Sequence, residues 1–263
     1  MEIAMELMLY QIDAFADRPF EGNPAAVCPL SEWLSDELMQ AIASENNLSE
    51  TTFFVPSPEG FHIRWFSPVC EVDLCGHATL ASAWVLFNLL GYAREEVAFQ
   101  SRSGILTVRR NMDWLEMDFP AQPPAVCDIP PAADRAFSTA PRACVRNQDY
   151  IFIFDNEEEI VGANPDLAAL TELDLRGVAI TARSGSYDFV LRFFAPKYGI
   201  NEDPVTGSAF TQLIPYWSAV LGKTRLTARQ VSARGGDVRC LLAGDRVSIS
   251  GKAAKYMVGS IEL

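Results

Sequence analysis

The stretch Arg64-Trp65-Phe66-Ser67-Pro68 returns 128 positions later as Arg192-Phe193-Phe194-Ala195-Pro196. The order then continues. Gly76-His77-Ala78 is answered 131 positions on by Gly207-Ser208-Ala209, and Gly91 by Gly222. Ser101-Arg102-Ser103-Gly104 matches Ser232-Ala233-Arg234-Gly235 at the same offset, through its first serine and its glycine. Four matches in one order indicate a degenerate tandem duplication, with a period far too long for a solenoid. Two domains of one architecture follow. Proline marks the join: six of the 16 prolines fall between Pro120 and Pro141, a composition that suits an extended linker and not a core element. The expected domains are residues 1–119 and 120–263, with the last strand able to pack back on the first domain.

Local patterns predict the same elements in each half. Leu7–Phe15, Glu50–Pro56 and Phe61–Pro68 are short runs rich in Phe, Ile and Val, bounded by Pro and Gly, and read as strands. Ser35–Asn46 has helical spacing with Ser35 as N-cap. Gly104–Phe119 reads as a hairpin turning near Asn111-Met112-Asp113. Ala78–Leu90 is apolar nearly all round and ends at Gly91, which predicts a buried helix. Thr206–Leu221 is its counterpart, and Pro215 inside it is expected to kink the helix or end its first part. The fold class expected is α+β. Each domain would be a curved, mostly antiparallel sheet or barrel around a central helix, with an active site in the cleft between the two.

Composition narrows the function. Of 263 residues, 49% are hydrophobic and 21% charged, so the chain can build a core and is not mainly disordered. Its 34 acidic residues against 21 basic give a net charge of −13, which argues against nucleic acid or anionic membrane as a partner. Met1–Met8 carries Glu2 and Glu6 and no basic run, unlike a signal peptide. The apolar run Ala78–Leu90 is shorter than the ~20 residues a bilayer span needs. Six cysteines without a CxxC pair and two histidines are poor material for a zinc site, and free thiols in a cytoplasmic location are expected.

Both central helices begin with glycine: Asp73-Leu74-Cys75-Gly76-His77-Ala78-Thr79 and Glu202-Asp203-Pro204-Val205-Thr206-Gly207-Ser208-Ala209. A helix N-terminus offers unpaired N–H groups and the positive end of the macrodipole, and Gly lets a ligand approach the backbone. Two such ends facing one cleft would anchor a carboxylate substrate; the plainer alternative is close helix–sheet packing. Glu50 lies where a buried strand begins, against Phe53 and Phe54, and desolvation there would favour its neutral form and suit it to acid–base work. The alternative is an exposed glutamate at a strand start. His77 at a helix start is expected as a neutral imidazole, either reactive or satisfied by local backbone. Asp203 reads as an N-cap with Pro204 in the first turn, or as the partner of a substrate proton or ammonium. Cys75 reads as a small buried side chain or as a thiol whose pKa the helix end lowers. Its counterpart is Thr206, which excludes a thiol pair.

Phe20-Glu21-Gly22-Asn23-Pro24-Ala25-Ala26-Val27, Asn47-Leu48-Ser49-Glu50-Thr51 and the two helix entries together resemble the phenazine biosynthesis PhzF-like family, whose fold is similar to that of diaminopimelate epimerase. The resemblance runs almost the whole length. It implies a cofactor-independent isomerase, without metal, that moves a proton on a small carboxylate-bearing substrate; the phenazine enzymes act on a dihydro-hydroxyanthranilate. It implies Glu50 as the proton shuttle, His77 and Asp203 as the groups that assist it, and Gly76, Gly207 and Ser208 as substrate-binding positions. A homodimer is implied as well. Two other functions stand beside it: a small-acid binding protein of the same fold without turnover, and a racemase dependent on Cys75 alone. One departure is Phe210-Thr211, where relatives often have His-Cys or His-Thr; an apolar group there is expected to alter the pocket.

Overall fold

The computed structural model describes residues 5–263; residues 1–4, on which part of the N-terminal reading falls, lie outside the described residues. The chain forms two compact units. The first runs to Asp118 and takes up Ser250–Leu263 from the far end of the chain; the second is Phe119–Ile249.

In the first stretch of chain come β1 (Glu6–Ala14), β2 (Asn23–Pro29), α1 (Asp36–Asn46), β3 (Glu50–Ser57), β4 (Gly60–Phe66), β5 (Glu71–Val72), α2 (Gly76–Asn88), β6 (Glu96–Ser101), β7 (Gly104–Asn111) and β8 (Trp114–Pro120). Next are β9 (Ala125–Cys127), α3 (Pro131–Ala136), β10 (Ala143–Arg146), β11 (Tyr150–Ile153), α4 (Glu157–Val161), α5 (Leu167–Thr171), β12 (Val178–Arg183) and β13 (Phe189–Ala195). The chain ends with β14 (Ile200–Asp203), α6 (Gly207–Leu221), β15 (Arg225–Gln230), β16 (Gly236–Ala243), β17 (Arg246–Gly251) and β18 (Ala253–Glu262).

Pairing follows one plan twice. In the first unit β2 and β3 are parallel, β3–β4 and β4–β5 antiparallel, β4–β6 parallel and β6–β7 antiparallel. In the second, β11–β12 is parallel, β12–β13 and β13–β14 antiparallel, β13–β15 parallel and β15–β16 antiparallel. Parallel neighbours cannot be joined by a tight turn, so each parallel pair needs a crossover, usually helical. α1 crosses between β2 and β3, α2 between β4 and β6, and α6 between β13 and β15. The last strand, β18, pairs antiparallel with β1 over its whole length and so belongs to the first unit. The fold is mixed α+β, mostly antiparallel.

α2 packs against β1, β2, β3, β7 and β18. A sheet whose strands all touch one helix must curve around it. This explains the all-round apolar sequence: from His77 to Phe87 only Trp84 is not fully buried. The helix begins two residues earlier than its periodicity predicts, because Gly76 and His77 are already helical. It ends at Asn88, and Gly91, at φ +69°, turns the chain beyond it. α1 has the expected cap, with Ser35 Oγ accepting the Leu38 N–H at 3.2 Å. No helix among the described residues is long and apolar enough to cross a membrane.

Two expectations change. The Pro120–Pro141 stretch is not only a linker. Pro131 opens α3, whose Ala132, Ala133 and Ala136 are buried with Phe137, Phe152 and Phe154 in the core of the second unit. Small side chains let this short helix lie close against α5. Second, α6 continues through Pro215 as one helix. Proline has no N–H for the carbonyl four residues back, that of Thr211. Here the Thr211 carbonyl accepts the Gln122 backbone N–H instead, at 2.9 Å. The gap in the helix ladder therefore docks the chain that enters the second unit. Removing a mid-helix proline would ordinarily gain about 3 kcal/mol. Pro215→Ala is expected to change unfolding free energy in urea by less than about 1 kcal/mol, since the new N–H competes for a carbonyl already satisfied. A gain near the full value would show that the Gln122 contact contributes nothing.

Candidate active site

The first unit brings its chemical groups together from two elements. Glu50 is the first residue of β3, in register with Ala25 of β2. Alternation puts it on the strand face of Thr52 and Phe54, opposite Phe53. Gly76 and His77 are the first residues of α2, and Cys75 is the N-cap. Because α2 is the buried crossover, its first turn is carried inward, and His77 is only 6% exposed.

There the side chains meet. His77 Nε2 lies 3.1 Å from Glu50 Oε2, and Cys75 Sγ lies 3.5 Å from His77 Nδ1. The imidazole thus stands between a carboxylate and a thiol, one on each ring nitrogen. The Glu50 contact has ion-pair distance without hydrogen-bond alignment, and both Glu50 Oε2 and His77 Nε2 are buried without a hydrogen bond. Leaving such a group unsatisfied costs about 1–3 kcal/mol. Native chains keep few of them, and a catalytic role is one of the reasons for which such a group is retained.

Burial, the largest influence on His77, works against its imidazolium. The Cys75 sulfur and the Glu50 carboxylate outweigh it and hold the His77 pKa well above the ordinary histidine value. The expectation of a neutral imidazole is therefore corrected: a whole carboxylate charge at 3.1 Å outweighs the roughly half charge of a helix end. Cys75 is corrected in the opposite sense. Burial, reinforced by the Glu50 charge, pushes its thiol up to about 11, so the helix end does not make it a thiolate. Ligand-capable atoms of Glu50, Cys75 and His77 lie within 4.8 Å of one another, a spacing a metal ion can use. An ion held at His77 Nε2 would take the place of the Glu50 contact, and one held at Nδ1 the place of the Cys75 contact.

The second unit repeats the helix entry with other side chains. Gly207 and Ser208 begin α6 and Thr206 is the N-cap. Asp203 is not the cap; it ends β14, and its Oδ2 accepts the Thr206 hydroxyl at 2.6 Å. Pro204 accordingly lies before the helix. Gln230 fastens this turn, accepting the Thr206 N–H at 2.9 Å and donating to the Asp203 carbonyl at 2.6 Å. Neither Cys75 nor Thr206 uses its side chain to cap its helix, so the first-turn N–H groups of α2 and α6 keep no cap side chain. Ser208 Oγ accepts from Arg176 Nη2 at 2.9 Å. Arg176 is itself held by Asp149, a fully buried carboxylate that takes both Nε and Nη2, at 2.9 and 2.6 Å, and also the Gln212 amide at 2.7 Å. Phe210 is fully buried with its ring 6.2 Å from that of Phe189. It is part of the core.

Arg176, Asp149, Gln212 and Gln230 are the residues that sequence reasoning misses. Ser208 is legible from the repeat, but nothing in the spacing of Asp149 and Arg176 ties them to it. These partners converge only through the sheet.

The model of phenazine biosynthesis-like proteins (PhzC-PhzF) matches residues 12–259. An uncharacterized isomerase of Pseudomonas aeruginosa is 55% identical over 259 residues, covering 98% of this chain and all of its own. A phenazine biosynthesis-like domain-containing protein of Mus musculus is 40% identical, covering 98% and 99%. A crystal structure of a PhzF-family protein from Enterococcus faecalis superposes with a TM-score of 0.97 at 46% identity, covering 98% of this chain and 100% of that one. A hydroxyproline epimerase from Agrobacterium vitis shares the fold alone, at 10% identity and a TM-score of 0.63. With the duplicated sheet, the two glycine-led helices and matches across nearly the whole length, the chain belongs to the phenazine biosynthesis-like PhzF family.

Proposed function

We propose that this protein is an isomerase that moves a proton on a small carboxylate-bearing substrate by general acid–base catalysis. The observation that carries the proposal is the pair Glu50 Oε2 and His77 Nε2, buried, 3.1 Å apart and without hydrogen bonds. A carboxylate and an imidazole in contact can take a proton from a carbon, pass it between them and return it elsewhere. Relatives named as isomerases support the reaction class. Glu50 is assigned as the base that removes the proton and His77 as the group that holds or relays it. Asp203 is assigned as a further proton-handling residue. Gly76, Gly207 and Ser208 are assigned to the substrate carboxylate, because helix-end N–H groups and a hydroxyl are suited to an anion in a protein of net charge −13.

A binding protein without turnover draws no support from Phe210, which lies in the core. A racemase working through Cys75 alone is disfavoured by a thiol held at about 11.

The test is incorporation of solvent deuterium into a panel of small conjugated and amino-acid carboxylates. The parent protein is expected to exchange at least one of them, and Glu50→Gln to lower that rate by roughly 10²–10⁴-fold. Exchange by Glu50→Gln at the parental rate would remove Glu50 from the mechanism, and the same result for Asp203→Asn would remove Asp203.

The charge state of the pair gives a second expectation. In an NMR titration the His77 ring should have its midpoint above 6.5, and Glu50→Gln should lower that midpoint by removing one of the groups that raise it. Because the folded value is the raised one, the stability from this contact is complete below 6.5 and is lost as pH climbs through the folded midpoint. A midpoint below 6.5 would show that burial prevails. A homodimer is also proposed, supported by the exposed Tyr256, Met257 and Val258 of β18. Sedimentation equilibrium should give twice the chain mass, and a monomer would exclude it.

A further inference from the structure

Building on the acid–base role assigned above to Glu50 and His77, we propose that Cys75 is a positioning residue. Its thiol engages His77 Nδ1 in both charge states of the ring, so that Nε2 stays turned to Glu50 while a proton moves.

The geometry begins with the backbone. Cys75 occupies the N-cap of α2 in an extended conformation, φ −142° and ψ 107°, and makes no cap hydrogen bond with its side chain. Ser, Thr, Asp or Asn at an N-cap would turn an oxygen back to the N–H groups of the first turn. Sulfur is a weak acceptor, so the pull toward the backbone is small and the side chain is available to the ring two residues on. Sγ and Nδ1 are 3.5 Å apart, and both side chains are buried.

A thiol suits this task because it both donates and accepts. With a neutral imidazole, S–H donates to Nδ1 and the ring proton sits on Nε2, the nitrogen 3.1 Å from Glu50 Oε2. With an imidazolium, Nδ1–H donates to the sulfur lone pair and Nε2 still carries its proton toward Glu50. When Nε2 gives its proton to Glu50, Nδ1–H keeps the same sulfur as acceptor. In that transfer the migrating proton moves between Nε2 and Oε2 only and Sγ accepts from Nδ1–H throughout; Sγ becomes the donor only when Nδ1 itself loses its proton to solvent, and it stays a thiol, consistent with a pKa held at about 11 by burial. The titratable groups that act on His77 are Glu50 on β3 and Cys75 before its own helix. The counterpart at the second helix, Thr206, has no ring to hold and spends its hydroxyl on Asp203.

The test needs no substrate. The chain has two histidines, His62 and His77, so protein labelled with ¹⁵N-histidine gives two ring systems, and His62→Gln assigns them. At a pH where the ring is neutral, wild-type His77 is expected to have Nδ1 unprotonated but shifted by a donor, and Nε2 protonated. In Cys75→Ala, with folding confirmed by near-UV circular dichroism, the Nδ1 resonance should move to the position of an unbonded nitrogen, or a population protonated at Nδ1 should appear. Packing alone would not move these shifts. The proposal is overturned if, with Glu50 ionised and the ring neutral, wild-type His77 carries its proton on Nδ1. It is equally overturned if Cys75→Ala leaves both ring shifts unchanged. The wild-type measurement decides even if the alanine variant does not fold. Neither outcome bears on deuterium exchange by Glu50, so this proposal and the proposed function can fail separately.

Discussion

Strands β4 and β6 lie parallel, and the chain between them, from Ser67 to Glu95, has to cross the sheet before it can return. That crossing is α2. Because its flanks touch β1, β2, β3, β7 and β18, it can only be apolar, and its first turn arrives inside the unit already shielded from water. The site depends on this constraint. A histidine at the start of a surface helix would be solvated, and a carboxylate 3.1 Å away would shift it little, since water screens such a pair. At the start of a buried crossover the same two groups act on each other strongly, and two of their polar atoms are left without hydrogen bonds.

The overall charge of the chain then takes a definite meaning. With 34 acidic and 21 basic residues the general field repels an anion. The carboxylate binding proposed above would have to be local, through groups whose own bonds are already arranged. Arg176 is fastened by Asp149 through two parallel contacts and has its guanidinium over the Phe193 ring at 5.6 Å. Fixed in this way it donates to Ser208 Oγ, so the Ser208 hydroxyl hydrogen is free to point elsewhere. In the Arg176–Asp149 pair the carboxylate is fully buried and the guanidinium partly exposed, and the desolvation of Asp149 offsets much of the attraction. Its effect here is geometric: it sets the direction of a hydroxyl at the first turn of α6.

Much of this was legible in the residues, for reasons that differ from place to place. The repeat is readable because glycines and prolines punctuate both halves at matching offsets, and punctuation survives when core residues drift. His77 and Asp203 are readable because they flank those marks, and Glu50 because it opens the strand run that leads into Phe53 and Phe54. What is not readable is whatever depends on the sheet closing. Asp149 and Arg176 meet only once β11 and β12 pair. α3 hides in a proline-rich stretch because its helical signal is three small alanines, which look like linker until the phenylalanines they pack on are known. Pro215 misleads for a related reason. Local rules end a helix there, but the carbonyl that proline leaves unpaired is answered by Gln122, a residue about ninety positions away.

The two helix starts show how a duplicated frame diverges. Both N-caps are extended residues that decline to cap, and both helices begin Gly, then a polar residue, then Ala. Past that shared backbone the side chains part. Cys75 turns to a ring that is buried beside a carboxylate; Thr206 turns to a carboxylate directly and is pinned there by Gln230. A sulfur can exchange donor for acceptor at little energetic difference, whereas the Thr206 hydroxyl is committed as donor to Asp203 and as acceptor from Gln230 Nε2 at 3.3 Å. The first start is therefore built to tolerate a change of protonation and the second to hold one arrangement. That asymmetry, on backbones of the same plan, agrees with the one-base proton transfer proposed above and differs from a symmetric pair of thiols.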